Sequence, residues 1–250
     1  MNVGCIPKKL FHISTQVKET MQMGEDYGWQ GKVALRNDWG TLRDNIQNYI
    51  KGINFGYKKK LKEIDVDYVN ARAAFKDAKT VVFSLPSGAY ELKAKSFVIA
   101  AGVRPRMYEG LPELSKHAIT SDDLFSLKDN PGKTLVIGGG YIAIECAGFL
   151  RGLGNEVILA NRSSFLRQFD KDMAHKITEQ LEEEGINMMS NAVIKAVKQL
   201  GEKRYEVEIE SKLHTGKVVS EKLEVNTIMV AIGRDGRPES YGADKAGLKV

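Results

Sequence analysis

Val136-Ile137-Gly138-Gly139-Gly140-Tyr141-Ile142-Ala143 is the stretch on which the reading of the fold turns. The run Thr134 to Ile137 has the length and apolar character of a short buried strand. Three glycines end it, and helical spacing follows. Ile142, Cys146, Phe149, Leu150 and Leu153 share one face, and Gly154 is placed to close the helix at C′. The glycine spacing is G-x-G-x-x-A, the dinucleotide fingerprint, in the strand–turn–helix context that the motif requires. Glycines let the backbone approach a pyrophosphate, and the unpaired N–H groups of the helix start bind it. A merely tight turn is the other reading of the bare motif.

Which dinucleotide follows from the end of the next strand, Glu156 to Ala160. An enzyme that takes NAD places Asp or Glu there to accept from the ribose 2′-OH. This chain has Ala160-Asn161-Arg162, with Arg167 about one turn further. Two guanidinium groups suit a 2′-phosphate, which a carboxylate would repel, so NADPH is expected. That one or both arginines simply face solvent stays open at this point.

Beyond the arginines, Lys171 to Glu184 reads as a helix with Met173, Ile177 and Leu181 on one face, stopping at Gly185. Tyr205-Val207-Ile209 alternates with glutamates as a half-exposed meander strand does, and Thr227 to Ile232 reads as a buried strand ending at Gly233. Upstream of Asn130-Pro131-Gly132 the pattern differs. Lys8 to about Met23 is predicted helical, with Pro7 suited to a first turn. Thr41 to Leu61 is a second helix, with Ile46, Ile50, Ile53 and Tyr57 at helical spacing. Strands are predicted at Val81-Val82-Phe83 and Ser96-Phe97-Val98-Ile99-Ala100, around a turn at Ser87-Gly88. Strands alternating with helices, then a meander, make the class α/β.

Composition excludes several functions. In 250 residues with a net charge of +5, the basic residues are interleaved with 32 acidic ones, which argues against nucleic acid. Lys58-Lys59-Lys60 reads as a solvated helix face. No run of about 18 apolar residues exists to span a membrane. His12, His117, His175 and His214 lack metal-ligand spacing, so no metal is expected. Of the two cysteines, Cys146 lies on an apolar helix face and reads as inert. Cys5, in Gly4-Cys5-Ile6-Pro7-Lys8-Lys9, opens a helix beside two lysines, the positive setting of a nucleophilic thiolate. A buried, inert cysteine is an equal reading of Cys5 on these grounds alone.

Gly4 to Lys9, Ala100-Ala101-Gly102-Val103-Arg104-Pro105, the Gly138 fingerprint and Ala231-Ile232-Gly233-Arg234 together resemble the pyridine nucleotide-disulfide oxidoreductases. Within that family, Lys9-Leu10-Phe11-His12, Asp26-Tyr27-Gly28-Trp29, Thr120 to Leu127 and Ile232-Gly233-Arg234-Asp235 resemble the large thioredoxin reductases, and glutathione reductases less so. The resemblance covers nearly all 250 residues, in family order. It implies that Cys5 is the flavin-proximal thiol in contact with FAD. Lys8 and Glu145 match the ion pair beside the flavin N5, and the three form the implied catalytic set. Tyr141 matches the aromatic gate over the nicotinamide pocket, and Ala73 a backbone contact to FAD. Arg106, Gly139, Ile142, Ser163 and Gly233 match NADPH contacts beside Gly138 and Gly140, with Arg162 and Arg167 on the 2′-phosphate.

The chain also departs from the family. The motif Cys-Val-Asn-Val-Gly-Cys would place its first cysteine one residue before Met1, and Met1 stands where the motif has valine. The resemblance implies a preceding FAD-binding βαβ unit, and a following dimerisation domain with a His–Glu pair. Gly138-Gly139-Gly140 and Ala160-Asn161 differ from the usual thioredoxin reductase wording. The expected architecture is a Rossmann-like NADPH domain, residues 129–240, inserted into a partial FAD-binding domain. Residues 1–128 form most of the latter, and 241–250 begin the return to it. The implied reaction passes hydride from NADPH to FAD, and on through a cysteine pair to thioredoxin, in a homodimeric parent of the cytoplasm or mitochondrion. A glutathione or thioredoxin-glutathione reductase is the alternative. For the chain as written, a non-catalytic NADPH-binding module is another.

Overall fold

The computed structural model describes residues 1–31, 35–212 and 215–249; His214 lies outside them. Two helices open the chain, α1 (Cys5–Met23) and α2 (Trp39–Glu63). Strands β1 (Ala73–Asp77), β2 (Thr80–Leu85) and β3 (Gly88–Lys93) follow, then the two-residue β4 (Arg104–Pro105). After α3 (Pro112–His117), β5 (Ile119–Thr120) and α4 (Ser121–Leu124) come β6 (Thr134–Ile137), α5 (Tyr141–Gly152), β7 (Val157–Ala160), α6 (Lys171–Glu183) and β8 (Asn187–Met189). Long strands β9 (Ala192–Gly201), β10 (Arg204–Lys212) and β11 (Val218–Val225) precede β12 (Thr227–Val230) and the short β13 (Arg234–Asp235). The residues group into two compact units, Met1–Lys51 with Pro105–Gly233, and Gly52–Arg104 with Arg234–Val250.

The first unit is built on a five-stranded parallel sheet in the order β5-β12-β6-β7-β8. Its central strands read as unbroken apolar runs because both faces are covered. Successive side chains alternate between two cores. Val136, Leu159 and Met229 pack with Ala143, Cys146 and Phe149 of α5. Leu135, Ile137, Ile158 and Val230 pack with Val197, Val207 and Ile209 of the antiparallel sheet β9-β10-β11. The outer face of β10 carries three glutamates, each answered by a neighbour: Glu210 by Lys195 at 2.8 Å, Glu206 by Lys222 at 3.1 Å and Glu208 by the Ser220 hydroxyl at 3.4 Å.

Helix α5 is covered in turn by α1. Phe11 stacks on Trp39 and on Phe149 with ring centroids 5.1 and 5.0 Å apart. The helices meet closely at Gly152, where an added Cβ would stand 2.5 Å from Thr15 Cγ2 and 2.6 Å from Thr15 Cβ. The start of α2 is tied to the segment after α4, with Trp39 Nε1 donating to the Leu127 carbonyl at 3.0 Å and Gln47 Nε2 to that of Phe125 at 2.8 Å. Asp170 caps α6, accepting from the N–H groups of Asp172 and Met173 at 3.0 Å.

The second unit holds the antiparallel meander β1-β2-β3, with Pro86 and Ser87 in the β2–β3 turn and Gly88 opening β3 opposite Leu85. Buried Phe75 meets Phe97 edge-on at 5.2 Å. Gly242 (φ +66°) backs onto β1, where a Cβ would lie 2.9 Å from the Phe75 carbonyl.

Two expectations fail here. Ser96 to Ala100 is not a strand: its backbone joins no ladder among the described residues, and Val98 is 94% exposed. An extended apolar run becomes a strand only when a neighbour accepts its N–H and C=O groups. On α6, Leu181 is buried as expected, but its two partners on the expected face, Met173 and Ile177, are exposed, and Ala174 takes the other buried position. The core meets that helix one position away from the side suggested by its largest side chains.

Candidate dinucleotide and redox site

The glycine turn lies between β6 and α5, and each glycine answers a different demand. Gly138 has φ +145°, and a Cβ on it would fall 2.2 Å from the Ala231 carbonyl oxygen, so a side chain is barred by backbone. A Cβ on Gly139 would lie 2.1 Å from Asn161 Nδ2. Gly140, the N-cap of α5, has ordinary extended dihedrals (φ −89°, ψ 174°) and open space before it. No side chain caps α5, and its first internal bond is Ile144 N–H to the Gly140 carbonyl at 3.2 Å. The N–H groups of Tyr141, Ile142 and Ala143 are therefore left at a twelve-residue helix start with positive dipole potential. The cradle and those donors fit a pyrophosphate.

The loop after β7 carries the arginines. Arg162 and Arg167 are exposed, and among the described residues neither guanidinium has a hydrogen-bond or ion-pair partner. Ser163 is half-buried beside them. The loop is anchored by buried Phe165 and Leu166, and Leu166 N–H donates to the Gly139 carbonyl at 2.7 Å. No acidic residue stands between Ala160 and Arg167, so the loop that carries the two cations, next to the glycine turn, holds no carboxylate of its own. That arrangement fits a phosphate on the adenosine ribose.

Arg106 and Gly233 also come together. Arg106 N–H donates to the Gly233 carbonyl at 2.9 Å, Gly233 has φ +138°, and the guanidinium carbon lies 4.0 Å from where a Cβ would project. Ile142 is half-buried at the start of α5. Ala73 begins β1 in the other unit, paired with Phe83.

Where α1 crosses α5, Lys8 forms an ion pair with Glu145, and its Nζ sits 4.7 Å from the centre of the Tyr141 ring. The lysine is 7% exposed, whereas Glu145 and Tyr141 are open to solvent. A buried ammonium is tolerable only with such partners. Cys5 lies one turn before Lys8, exposed and free, at the uncapped start of α1. Cys146, next to Glu145, is fully buried. Burial pushes its thiol up, and the opposing pull of Lys8 is smaller. Of the two thiols, only Cys5 can meet a ligand.

Among the described residues, no three His, Cys, Asp or Glu side chains converge on a metal position. His117 lies 3.4 Å from Glu113 and against the Tyr205 ring, and His175 lies 3.2 Å from Glu179. No helix among the described residues is long and apolar enough to cross a membrane. An open groove of about 430 Å³ lies by the C-terminal end of α5, lined by Ser14, Lys18, Arg36 and Leu153 among others. None of the expected site residues lines it. Sequence reasoning passed over Asn161, whose side chain fills the space in front of Gly139; the signal was an amide where a carboxylate or an apolar residue is the usual expectation.

A parallel sheet that delivers a glycine turn to an uncapped helix start is the Rossmann-like α/β arrangement. The chain belongs to the pyridine nucleotide-disulphide oxidoreductase family, whose model matches residues 1–250. It is similar to thioredoxin reductase SEP1 of Emiliania huxleyi, 41% identical over 253 residues that cover 100% of this chain and 50% of that protein. It is also similar to the mitochondrial thioredoxin reductase 2 of Drosophila melanogaster, at 37% identity over 100% of this chain and 48% of the relative. The chain thus spans about half the length of the curated relatives it matches. Among solved structures, the Cu(II) complex of the HOCl-induced flavoprotein disulfide reductase RclA from Escherichia coli superposes with a TM-score of 0.80. At 22% identity, covering 99% of this chain and 51% of that one, the likeness is one of fold.

Proposed function

We propose that this chain is the NADPH-binding part, with the flavin-facing thiol, of a disulfide reductase of the thioredoxin reductase type. The observation that carries the NADPH reading is the pairing of an uncapped α5 start with two unpartnered guanidiniums one loop away. Gly138, Gly139 and Gly140 admit the pyrophosphate, the N–H groups of Tyr141 and Ile142 bind it, and Arg162, Ser163 and Arg167 take the 2′-phosphate. Arg106 and Gly233 make further contacts to the nucleotide, and Tyr141 gates the nicotinamide pocket. Functionally, residues 129–240 carry the pyridine nucleotide, and 1–128 with 241–250 belong to the flavin part.

When bound, the nicotinamide supplies hydride and the flavin converts it to electrons for a disulfide. Lys8, held by Glu145, would present a desolvated positive charge beside the flavin N5, where the nicotinamide docks. Ala73 is assigned to FAD by resemblance. The acceptor proposed is thioredoxin, because the relatives at 37–41% identity are thioredoxin reductases. A glutathione-type acceptor is the other outcome. The proposed setting is the cytoplasm, with a mitochondrial form as the alternative, and the proposed assembly of the whole protein is a homodimer.

A second reading has its own support. The chain holds two cysteines, one exposed and one buried, so it offers no cysteine pair of its own. By itself it is then a nucleotide-binding module. Passing the purified chain over immobilised 2′,5′-ADP and recording its visible spectrum tests both readings. Retention, with release by NADPH, is expected for either, and failure of a folded sample to bind would remove the NADPH reading. A flavin spectrum bleached by NADPH would remove the module reading.

A further inference from the structure

Asn161 stands where β7 gives way to the arginine loop, and both polar groups of its backbone are bonded to the chain from the end of β8 to the start of β9. Its N–H donates to the Met189 carbonyl at 2.9 Å, and its carbonyl accepts from Ala192 N–H at 2.9 Å. Its side-chain Nδ2 then donates to two loop carbonyls, Ser163 at 3.1 Å and Ser164 at 2.8 Å. The same carboxamide fills the space in front of Gly139, where a Cβ would lie 2.1 Å from Nδ2 and 2.5 Å from Cγ. On its other side Gly139 accepts from Leu166 N–H at 2.7 Å, with Leu166 held at φ +50°. A left-handed leucine is unfavourable unless its surroundings fix it, and here its side chain is buried. The glycine turn and the loop from Arg162 to Arg167 are therefore joined at two points, one of which is the Asn161 amide.

We propose that Asn161 is the positioning residue of the 2′-phosphate loop, and that Gly139 is glycine as much to house this amide as to admit a pyrophosphate. The role rests on the NADPH reading above. Two carbonyls turned toward one point need a donor of two hydrogens, which a primary amide supplies from a single nitrogen. Aspartate has nearly the same shape but could only accept, and its charge would oppose the phosphate. With the Ser163 and Ser164 carbonyls fixed, the backbone between the arginines is set and both guanidiniums start from one geometry. Without the amide, binding the phosphate must also order the loop.

The test measures binding of 2′,5′-ADP and 5′-AMP to the whole chain by calorimetry, together with thermal unfolding. The proteins are wild type, Asn161→Ala, Gly139→Ala and the double variant. In Asn161→Ala, affinity for 2′,5′-ADP should fall about tenfold, as expected for losing two neutral hydrogen bonds, while that for 5′-AMP stays within about twofold. Gly139→Ala should lower Tm and weaken both ligands, and the double variant should regain Tm without regaining preference for the 2′-phosphate. Asn161→Ala with the wild-type preference intact would overturn the positioning role alone. A double variant no more stable than Gly139→Ala would overturn the steric pairing. A wild-type chain that does not distinguish the two nucleotides would overturn the NADPH reading, and this role with it.

Discussion

Lys8 of α1 reaches Glu145 of α5 from inside the protein, while the carboxylate it meets is half open to water: the lysine side chain is 8% exposed and the glutamate 47%. The pair is therefore asymmetric. Removing the carboxylate's charge leaves a buried cation with no anion among the described residues to balance it, beside the Tyr141 ring. Removing the lysine leaves a carboxylate that water can solvate. Glu145→Gln should destabilise by about 1–3 kcal/mol, and Lys8→Met by less than about 1 kcal/mol. Urea unfolding of the two variants checks this, and equal losses would contradict the asymmetry.

The glycine turn allows fold and binding to be separated. Gly138→Ala forces a side chain against the Ala231 carbonyl at a positive φ and should cost about 3 kcal/mol. Gly140→Ala meets nothing within 4 Å at ordinary dihedrals, so stability should change by less than about 1 kcal/mol. On the proposed binding mode the added methyl crowds the phosphate at the start of α5, and NADPH affinity should drop at least tenfold. Thermal unfolding and nucleotide titration, run side by side, distinguish the two variants.

Arg162→Ala and Arg167→Ala should each weaken NADPH binding by about 10- to 100-fold, the scale of one charge-assisted hydrogen bond, and leave NADH binding nearly unchanged. Neither arginine contributes an ion pair among the described residues, so their removal should barely move Tm. Fluorescence titration with the two nucleotides reads the ratio directly.

Cys146 gives a prediction in pH. Its thiol, ordinarily near 9.0, is pushed up by burial. Below about pH 9 both folded and unfolded chains carry it neutral, and it adds no pH dependence. Above that, only the unfolded chain releases the proton, so stability declines by up to about 1.4 kcal/mol per pH unit until the folded-state value is reached. Between about pH 8 and pH 10, Cys146→Ala should show a shallower fall than wild type; parallel curves would sink the assignment.

Much of the fold was legible because local and global signals agreed. The strand, glycine turn and helix from Thr134 to Gly152 appear as expected, as do α1, α2 and the alternating β10. Where the reading failed, the cause lay outside the segment. Ser96 to Ala100 has strand chemistry but no ladder partner among the described residues, and no window of sequence contains its neighbours. On α6, periodicity gives a stripe but not which side of it meets the core. At the proposed site, motif and resemblance supply the candidate residues, and the structure adds how they depend on one another. The conflict between Gly139 and the Asn161 amide spans 22 positions and becomes visible only when the loop lies beside the turn.

Helix α5 begins with the N–H groups offered to a phosphate, carries Tyr141 at its first position, and bears Glu145 one turn later. Its far end is pinned by the Gly152–Thr15 contact. In evolutionary terms these are not separable traits. On the proposed assignments, a change that slides or tilts this one rod would alter nucleotide grip, gate and lysine pairing together, so variation in α5 should be strongly pleiotropic. Adaptation to a new cofactor is then expected to fall on the Arg162 to Arg167 loop, which can vary without moving the rod.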